Sequence, residues 1–292
     1  MRKLLVLFLP FVVVFFFGGC GASSVLTSRR SWLWATGSRS LAASLPYYVL
    51  PVRAADDSLL ARAASLSFSE FYERHPYRVA GDVLPFLEVC ASRGDAESVL
   101  LALDVWSERY PMFQTGPVKG KILEEALMKA APCFAAEIGT FIGYSALRIA
   151  RALPKKGKLV CVEASSDFAD VARGVLAYAG QEATVVVAKG SDCAPLLREA
   201  FGKDHAMDFL FLDHAKEAYA PDLETLENAR LVTKGTTVVA DNVLYPGAPG
   251  YLDHVTTPAY ATTLMPAPYE SRGWETNWEP RDDAMSVSLR LI

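Results

Sequence analysis

Cys133-Phe134-Ala135-Ala136-Glu137-Ile138-Gly139-Thr140-Phe141-Ile142-Gly143-Tyr144-Ser145 is a short apolar run that breaks into a glycine turn and then resumes at helical spacing over 143–153. The two glycines permit a tight turn and a close approach of backbone to a ligand. A buried strand, a glycine turn and a helix in succession form the opening unit of a parallel α/β sheet. The turn lacks the Gly-x-Gly-x-x-Gly pattern, so its neighbours must supply the rest of the argument.

Those neighbours continue the alternation. Strand Leu159–Glu163 is followed by a helix over 166–179, with Phe168, Val171, Ala172, Val175 and Leu176 on one face. Strands Thr184–Ala188 and Met207–Asp213, a helix over 216–230 and strand Thr236–Asp241 come next, and Met285–Ile292 reads as a closing strand. Strands apolar on both faces are covered on both faces, which predicts an α/β fold with a mostly parallel sheet and helices on each side. Upstream, residues 68–110 read as helices broken at Gly94-Asp95. Pro117 suits the first turn of another helix through Val118, Ile122, Leu123, Ala126 and Leu127.

The 292 residues are 51% hydrophobic and 21% charged, which excludes a disordered chain. A net charge of −4 gives no basic excess for nucleic acid. The charge is unevenly spread. Residues 1–55 hold six Arg/Lys and no Asp or Glu, which leaves −10 on the remainder. Arg2-Lys3, the apolar run Leu4 to Phe17 and the small residues Gly18 to Ser24 match the three parts of a secretory signal. The run falls short of the roughly 20 residues of a comfortable membrane span. The Ser/Arg-rich, acid-free stretch Ser23 to Arg53 has the composition of an organellar transit segment. Residues 1–55 are therefore expected to be a signal, anchor or targeting segment, cleaved or retained, giving membrane association or a secretory or organellar location. Cys20, Cys90, Cys133, Cys161 and Cys193 are scattered without a Cys-x-x-Cys, so neither zinc nor a disulfide framework is indicated.

Open α/β sheets bind ligands beyond the carboxyl ends of their strands. Glu163 stands at one such end, just over 20 residues after the glycine turn, where an acid can accept hydrogen bonds from ribose hydroxyls or simply be solvated. Asp213-His214-Ala215-Lys216 ends another strand and Asp241-Asn242 the next. Two carboxylates and an amide are hard oxygen donors suited to Mg²⁺ or Ca²⁺. Lys216, three residues past Asp213, is a candidate proton acceptor beside a cation, or else a salt-bridge partner of Asp213.

Taken together, Gly116-Pro117-Val118-Lys119-Gly120-Lys121, Glu137 to Ser145, Phe211-Leu212-Asp213-His214-Ala215-Lys216 and Ala240-Asp241-Asn242-Val243-Leu244-Tyr245-Pro246-Gly247-Ala248-Pro249 resemble the catechol O-methyltransferase family, from about Trp106 onward. The Gly-Pro-Val-Lys-Gly opening and the apolar N-terminus are most similar to its membrane-anchored branch. The resemblance implies S-adenosylmethionine and Mg²⁺ as cofactors, methylation of one hydroxyl of a small aromatic diol, and a Rossmann-like seven-stranded methyltransferase sheet with an antiparallel last strand. It implies a methyltransferase domain over 56–292, with N-terminal helices over 68–131 and the Rossmann-like core over 132–292.

Residue by residue, it implies Asp213, Asp241 and Asn242 as metal ligands, Glu163 on the cofactor ribose, His214 near adenine and Lys216 as general base. Thr115, Glu137, Gly139, Thr140, Ser145, Ala164, Ser191 and Asp213 line or bind the cofactor, and Glu270 aligns with the glutamate that contacts the second hydroxyl. The family's aromatic wall is thinned, with Pro111 and Ala215 where large aromatics are expected. Phe113 replaces a methionine and Ala218 an arginine, Pro246 is kept, and Tyr110 and Tyr245 are available to fill the pocket. Two rivals share parts of this pattern: a caffeoyl-coenzyme A type O-methyltransferase, and a membrane-bound methyltransferase-like protein acting through a binding partner.

Overall fold

A computed structural model of the protein describes residues 6–9, 12–15, 25–26, 80–109, 112–202, 204–269 and 281–292. The chain divides into two units, Met1–Ser65 and Leu66–Ile292. In the first, β1 (Val6–Leu9), β2 (Val12–Phe15) and β3 (Val25–Leu26) form an antiparallel sheet in that order, with Val6 opposite Phe15 and Leu9 opposite Val12. This corrects the expectation of a membrane-associated, secretory or organellar location. Residues 6–9 and 12–15 of the apolar run are strand, and among the described residues no helix is long and apolar enough to cross a membrane. Valine and phenylalanine favour strands, and Pro10, between β1 and β2 in sequence, opposes a continuous helix.

In the second unit the described α-helices start with α1 (Val83–Cys90), α2 (Ala96–Arg109) and α3 (Gly116–Ala130). It continues as β4 (Phe134–Ile138), α4 (Tyr144–Ala152), β5 (Lys158–Glu163), α5 (Ser166–Tyr178), β6 (Thr184–Val187), α6 (Cys193–Phe201), β7 (Phe209–Leu212), α7 (Tyr219–Asn228), β8 (Thr237–Ala240), α8 (Pro249–Val255), β9 (Tyr260–Tyr269) and β10 (Arg281–Arg290). The seven strands β4 to β10 lie in the order β6-β5-β4-β7-β8-β10-β9. The pairs among β4 to β8 are parallel, and β10 runs antiparallel between β8 and β9. The expected sheet, with its antiparallel last strand, is the one observed.

Burial explains the strand composition. All four residues of β7 are fully buried. Leu197 and Phe201 of α6, Leu223 and Leu226 of α7, and Tyr251 and Val255 of α8 pack with Ile138, Val162, Leu210 and Val238 of the sheet. Helices α6 and α8 and strand β9 go beyond the sequence reading. Pro266 and Pro268 argue against a strand in mid-sheet, but β9 is the edge, where a missing N–H donor is tolerated.

Candidate active site

A cleft of about 700 Å³ opens beyond the carboxyl ends of β4, β5, β7 and β8. Its walls bring together residues that are far apart in the chain. Gly139, Glu163, Ala164 and Ser191 line it together with Thr115, Asp213, His214, Lys216, Asp241 and Asn242. Glu137, Thr140 and Ser145 are buried beneath the lining instead. Glu270, Tyr110 and Pro111 lie outside the described residues.

The glycine turn and Glu163 are tied to each other. Glu163 Oε2 accepts the amides of Thr140 at 3.1 Å and Phe141 at 2.7 Å, and Oε1 accepts that of Ser165 at 2.9 Å. An ionised carboxylate offers about four lone-pair sites, so capacity remains for a ligand hydroxyl. Gly139 has φ +88°, and a Cβ there would stand 2.4 Å from the Asp213 carbonyl oxygen. The absence of a side chain thus lets the end of β4 press against the end of β7. Gly190 makes a similar approach, since a Cβ there would overlap the Asp222 carboxylate. Asp222 Oδ2 is itself 3.0 Å from His214 Nε2.

Beneath the turn, Glu137 is fully buried, with the Ser145 and Thr140 hydroxyls and the Cys161 thiol around its carboxyl. Burial raises its pKa to about 7, against the weaker opposing pull of the nearby Ser145 and Thr140 hydroxyls and the Cys161 thiol.

Further charged groups stand at the ends of β7 and β8. Leu212 of β7 pairs with Ala240 of β8, which sets the next residues, Asp213 and Asp241, at neighbouring strand ends. Lys216 Nζ donates to Asp213 Oδ1 at 2.9 Å and to the Tyr219 hydroxyl at 2.6 Å. Thr115 Oγ1 stands 3.5 Å from Asp213 Oδ2. Lys119, 1% exposed, lies between two carboxylates, 2.6 Å from Asp241 Oδ1 and 2.5 Å from Asp283 Oδ2. Burial alone would lower its pKa, but Asp241 and Asp283 outweigh that and raise it, so Lys119 is a fixed cation. Burial pushes the Asp241 carboxyl upward against the pull of Lys119.

As a cation site, this set offers two carboxylates and one amide. Among the described residues no group of three or more His, Cys, Asp or Glu is gathered for a metal ion. The donors present are hard oxygens and fit a small hard cation that takes its remaining ligands from water or substrate. Asn242 Nδ2 donates to Asp283 Oδ2 at 2.9 Å, so its Oδ1 is the end left for a cation.

Phe113, Ala215, Ala218, Pro246 and Tyr269 also line the cleft, and the Tyr245 ring meets the Tyr269 ring edge-on at 5.1 Å. Phe113 and Tyr269 therefore supply aromatic surface where Ala215 does not.

Lys119, Asp283 and Tyr219 had no assigned role in the sequence reading. Lys119 shares its helix face with Leu123, Ala126 and Leu127, all buried. A charge on an apolar stripe is a signal available from sequence alone. Asp283 is an acid inside a strand whose next three residues are also buried.

A model of the O-methyltransferase family matches residues 103–259. Catechol O-methyltransferase B of Danio rerio is 41% identical over 168 residues, 56% of this chain and 63% of that protein. Transmembrane O-methyltransferase of Homo sapiens is 40% identical over 165 residues, 55% of this chain and 56% of that protein. The chain thus spans about 60% of the length of these curated relatives. Among solved structures, the O-methyltransferase from Bacillus cereus in complex with SAH is similar in fold, with a TM-score of 0.54 and 21% identity over 74% of this chain and 100% of that one.

Proposed function

Because this chain belongs to the O-methyltransferase family, we propose that it transfers the methyl group of S-adenosylmethionine to one hydroxyl of a catechol-type substrate, with Mg²⁺ as the second cofactor. The observation that carries this reading is the convergence of Asp213, Lys216, Asp241 and Asn242 in a cleft that Glu163 also lines. Binding of SAH by the Bacillus cereus relative, and the names of the vertebrate relatives, support the cofactor and the diol respectively. The activity is assigned to the unit after the N-terminal strands, within residues 56–292.

In this reading Glu163 holds the ribose hydroxyls, and Ser191 and His214 flank the nucleoside. Thr115, Gly139 and the buried Glu137, Thr140 and Ser145 shape the methionine end. Asp213, Asp241 and the Asn242 amide oxygen hold Mg²⁺, which when bound favours the ionised form of a chelated hydroxyl. Lys216 Nζ, in its neutral amine form, takes the hydroxyl proton. Phe113, Pro246 and Tyr269 restrict the ring so that its oxygen faces the methyl donor, and such positioning supplies much of the rate. Glu270, next to Tyr269 in sequence, is assigned to the second hydroxyl.

The test is methyl transfer to a simple catechol, with and without EDTA. Asp241→Ala is expected to abolish turnover while calorimetry shows cofactor affinity nearly intact. Full transfer by Asp241→Ala in EDTA would sink the metal-chelate mechanism.

A further inference from the structure

We propose that Asp283, clamped by Lys119, is a positioning residue that fixes the orientation of the Asn242 amide and the turn Val243–Gly247 beside it. The inference rests on the reading of Asn242 as a ligand of Mg²⁺.

Asp283 is 3% exposed and uses both oxygens. Oδ2 accepts from Lys119 Nζ at 2.5 Å and from Asn242 Nδ2 at 2.9 Å. Oδ1 accepts the amides of Leu244 at 3.2 Å and Tyr245 at 2.9 Å. One side chain of β10 therefore holds three positions of the segment after β8, at Asn242, Leu244 and Tyr245. Asn242 has φ +58°, a left-handed backbone that asparagine adopts more readily than other non-glycine residues.

The chemistry of this hold is directional. A carboxylate only accepts, so the amide end it meets must be NH₂, and the carbonyl oxygen of Asn242 is the end left over. Without Asp283 the amide is free to turn its NH₂ outward, and an NH₂ cannot ligate a cation. Lys119 does the same for the neighbour. It and the Asn242 backbone N–H, each at 2.6 Å, both bond Asp241 Oδ1, which directs the second oxygen of that carboxylate elsewhere. The ammonium also offsets the charge of two buried carboxylates that would otherwise repel each other. Orienting partners of this kind typically change metal affinity by about 10–100-fold.

The experiment uses the full chain and Mn²⁺ as the probe, titrated by electron paramagnetic resonance, with cofactor affinity measured by calorimetry on the same samples. Asp283→Asn places an NH₂ where an acceptor stood. It is expected to weaken Mn²⁺ binding by about 10–100-fold and to leave cofactor affinity within about twofold. In the metal-free protein the amides of Leu244 and Tyr245 are expected to exchange hydrogen faster than in wild type. If Asp283→Asn loses cofactor binding through misfolding, the double variant Lys119→Met/Asp283→Asn removes the buried charge pair and carries the same expectation. Unchanged Mn²⁺ affinity and unchanged exchange at Leu244 and Tyr245 would overturn the proposal while the metal reading stands. Wild-type protein that binds no Mn²⁺ would overturn the metal reading, and the role of Asn242 with it.

Discussion

Lys216 Nζ and the Tyr219 hydroxyl meet at 2.6 Å, one helical turn apart. The phenol donates its own proton to the Asp241 carbonyl at 3.1 Å. Burial, reinforced by Asp213 and Asp241, holds its pKa well above the ordinary value. Tyr219 therefore stays protonated, accepting from the lysine on one side and donating across to the end of β8 on the other. Tyr219→Phe removes both bonds and keeps the ring. It is expected to cost about 1 kcal/mol of stability in urea denaturation. Turnover is expected to fall about tenfold, equivalent to roughly 1.4 kcal/mol, with KM for the methyl donor unchanged. Wild-type turnover in that variant would mean that Asp213 alone suffices to hold the lysine.

Glu137 gives the fold a pH dependence of known sign. Its pKa is about 7 in the folded chain against an ordinary 4.5. Between those values the folded state binds more protons than the unfolded state, so stability falls as pH rises. The contribution is fully present below about pH 4.5 and is lost by passage through about pH 7, and its size is on the order of 3 kcal/mol. Glu137→Gln keeps the shape and cannot ionise. In urea denaturation without cofactor it should match wild type near pH 5 and exceed it at pH 8. A variant equally stable to wild type at pH 8 would show that the buried carboxyl finds compensation elsewhere.

How far the sequence discloses this molecule depends on the range of the interactions concerned. Strands β5, β7 and β8 announce themselves because burial leaves long apolar runs, with Glu163 conspicuous as the polar last residue of β5 and Asp213 and Asp241 as the first polar residues after β7 and β8. The pairing of Lys119 with Asp283 joins positions 164 residues apart, so no local pattern contains it. Strand β9 is masked by Pro266 and Pro268, whose tolerance depends on an edge position that only the sheet order supplies. The run from Leu4 to Phe17 misleads for a different reason. A short apolar stretch without polar punctuation has no period, and helix and strand compete for it. The paired strands β1 and β2 are the outcome.

The assignment of Lys216 as proton acceptor separates from a purely structural role by charge. Lys216→Ala is expected to lower kcat by about 10²–10⁴-fold, the usual worth of a positioned base, with little change in substrate affinity. Lys216→Arg keeps the cation near Asp213 but stays protonated, so it should not restore activity. If arginine rescued turnover, the lysine would be acting as a counter-ion to Asp213. Steady-state kinetics of the two variants side by side, with the diol varied, decide between the roles.

Gly139 links the end of β4 to the end of β7, and its replacement tests that link without touching a polar group. At φ +88° an alanine is strained, and its methyl carbon would stand 2.4 Å from the Asp213 carbonyl oxygen and 2.7 Å from the His214 nitrogen. Both obstacles are backbone, so no side-chain rotation relieves them. Either β4 moves away from β7 or the end of β7 shifts, and each route displaces Asp213 relative to Glu163. Positive φ at a non-glycine residue costs about 1–3 kcal/mol, and overpacking adds a similar amount. Gly139→Ala is therefore expected to lose at least about 2 kcal/mol of stability in urea denaturation. Calorimetry should show weaker binding of both the methyl donor and Mn²⁺, because the displaced strand end serves the two sites together. Loss of cofactor affinity alone, with Mn²⁺ binding as in wild type, would show that the glycine turn and the Asp213 end move independently.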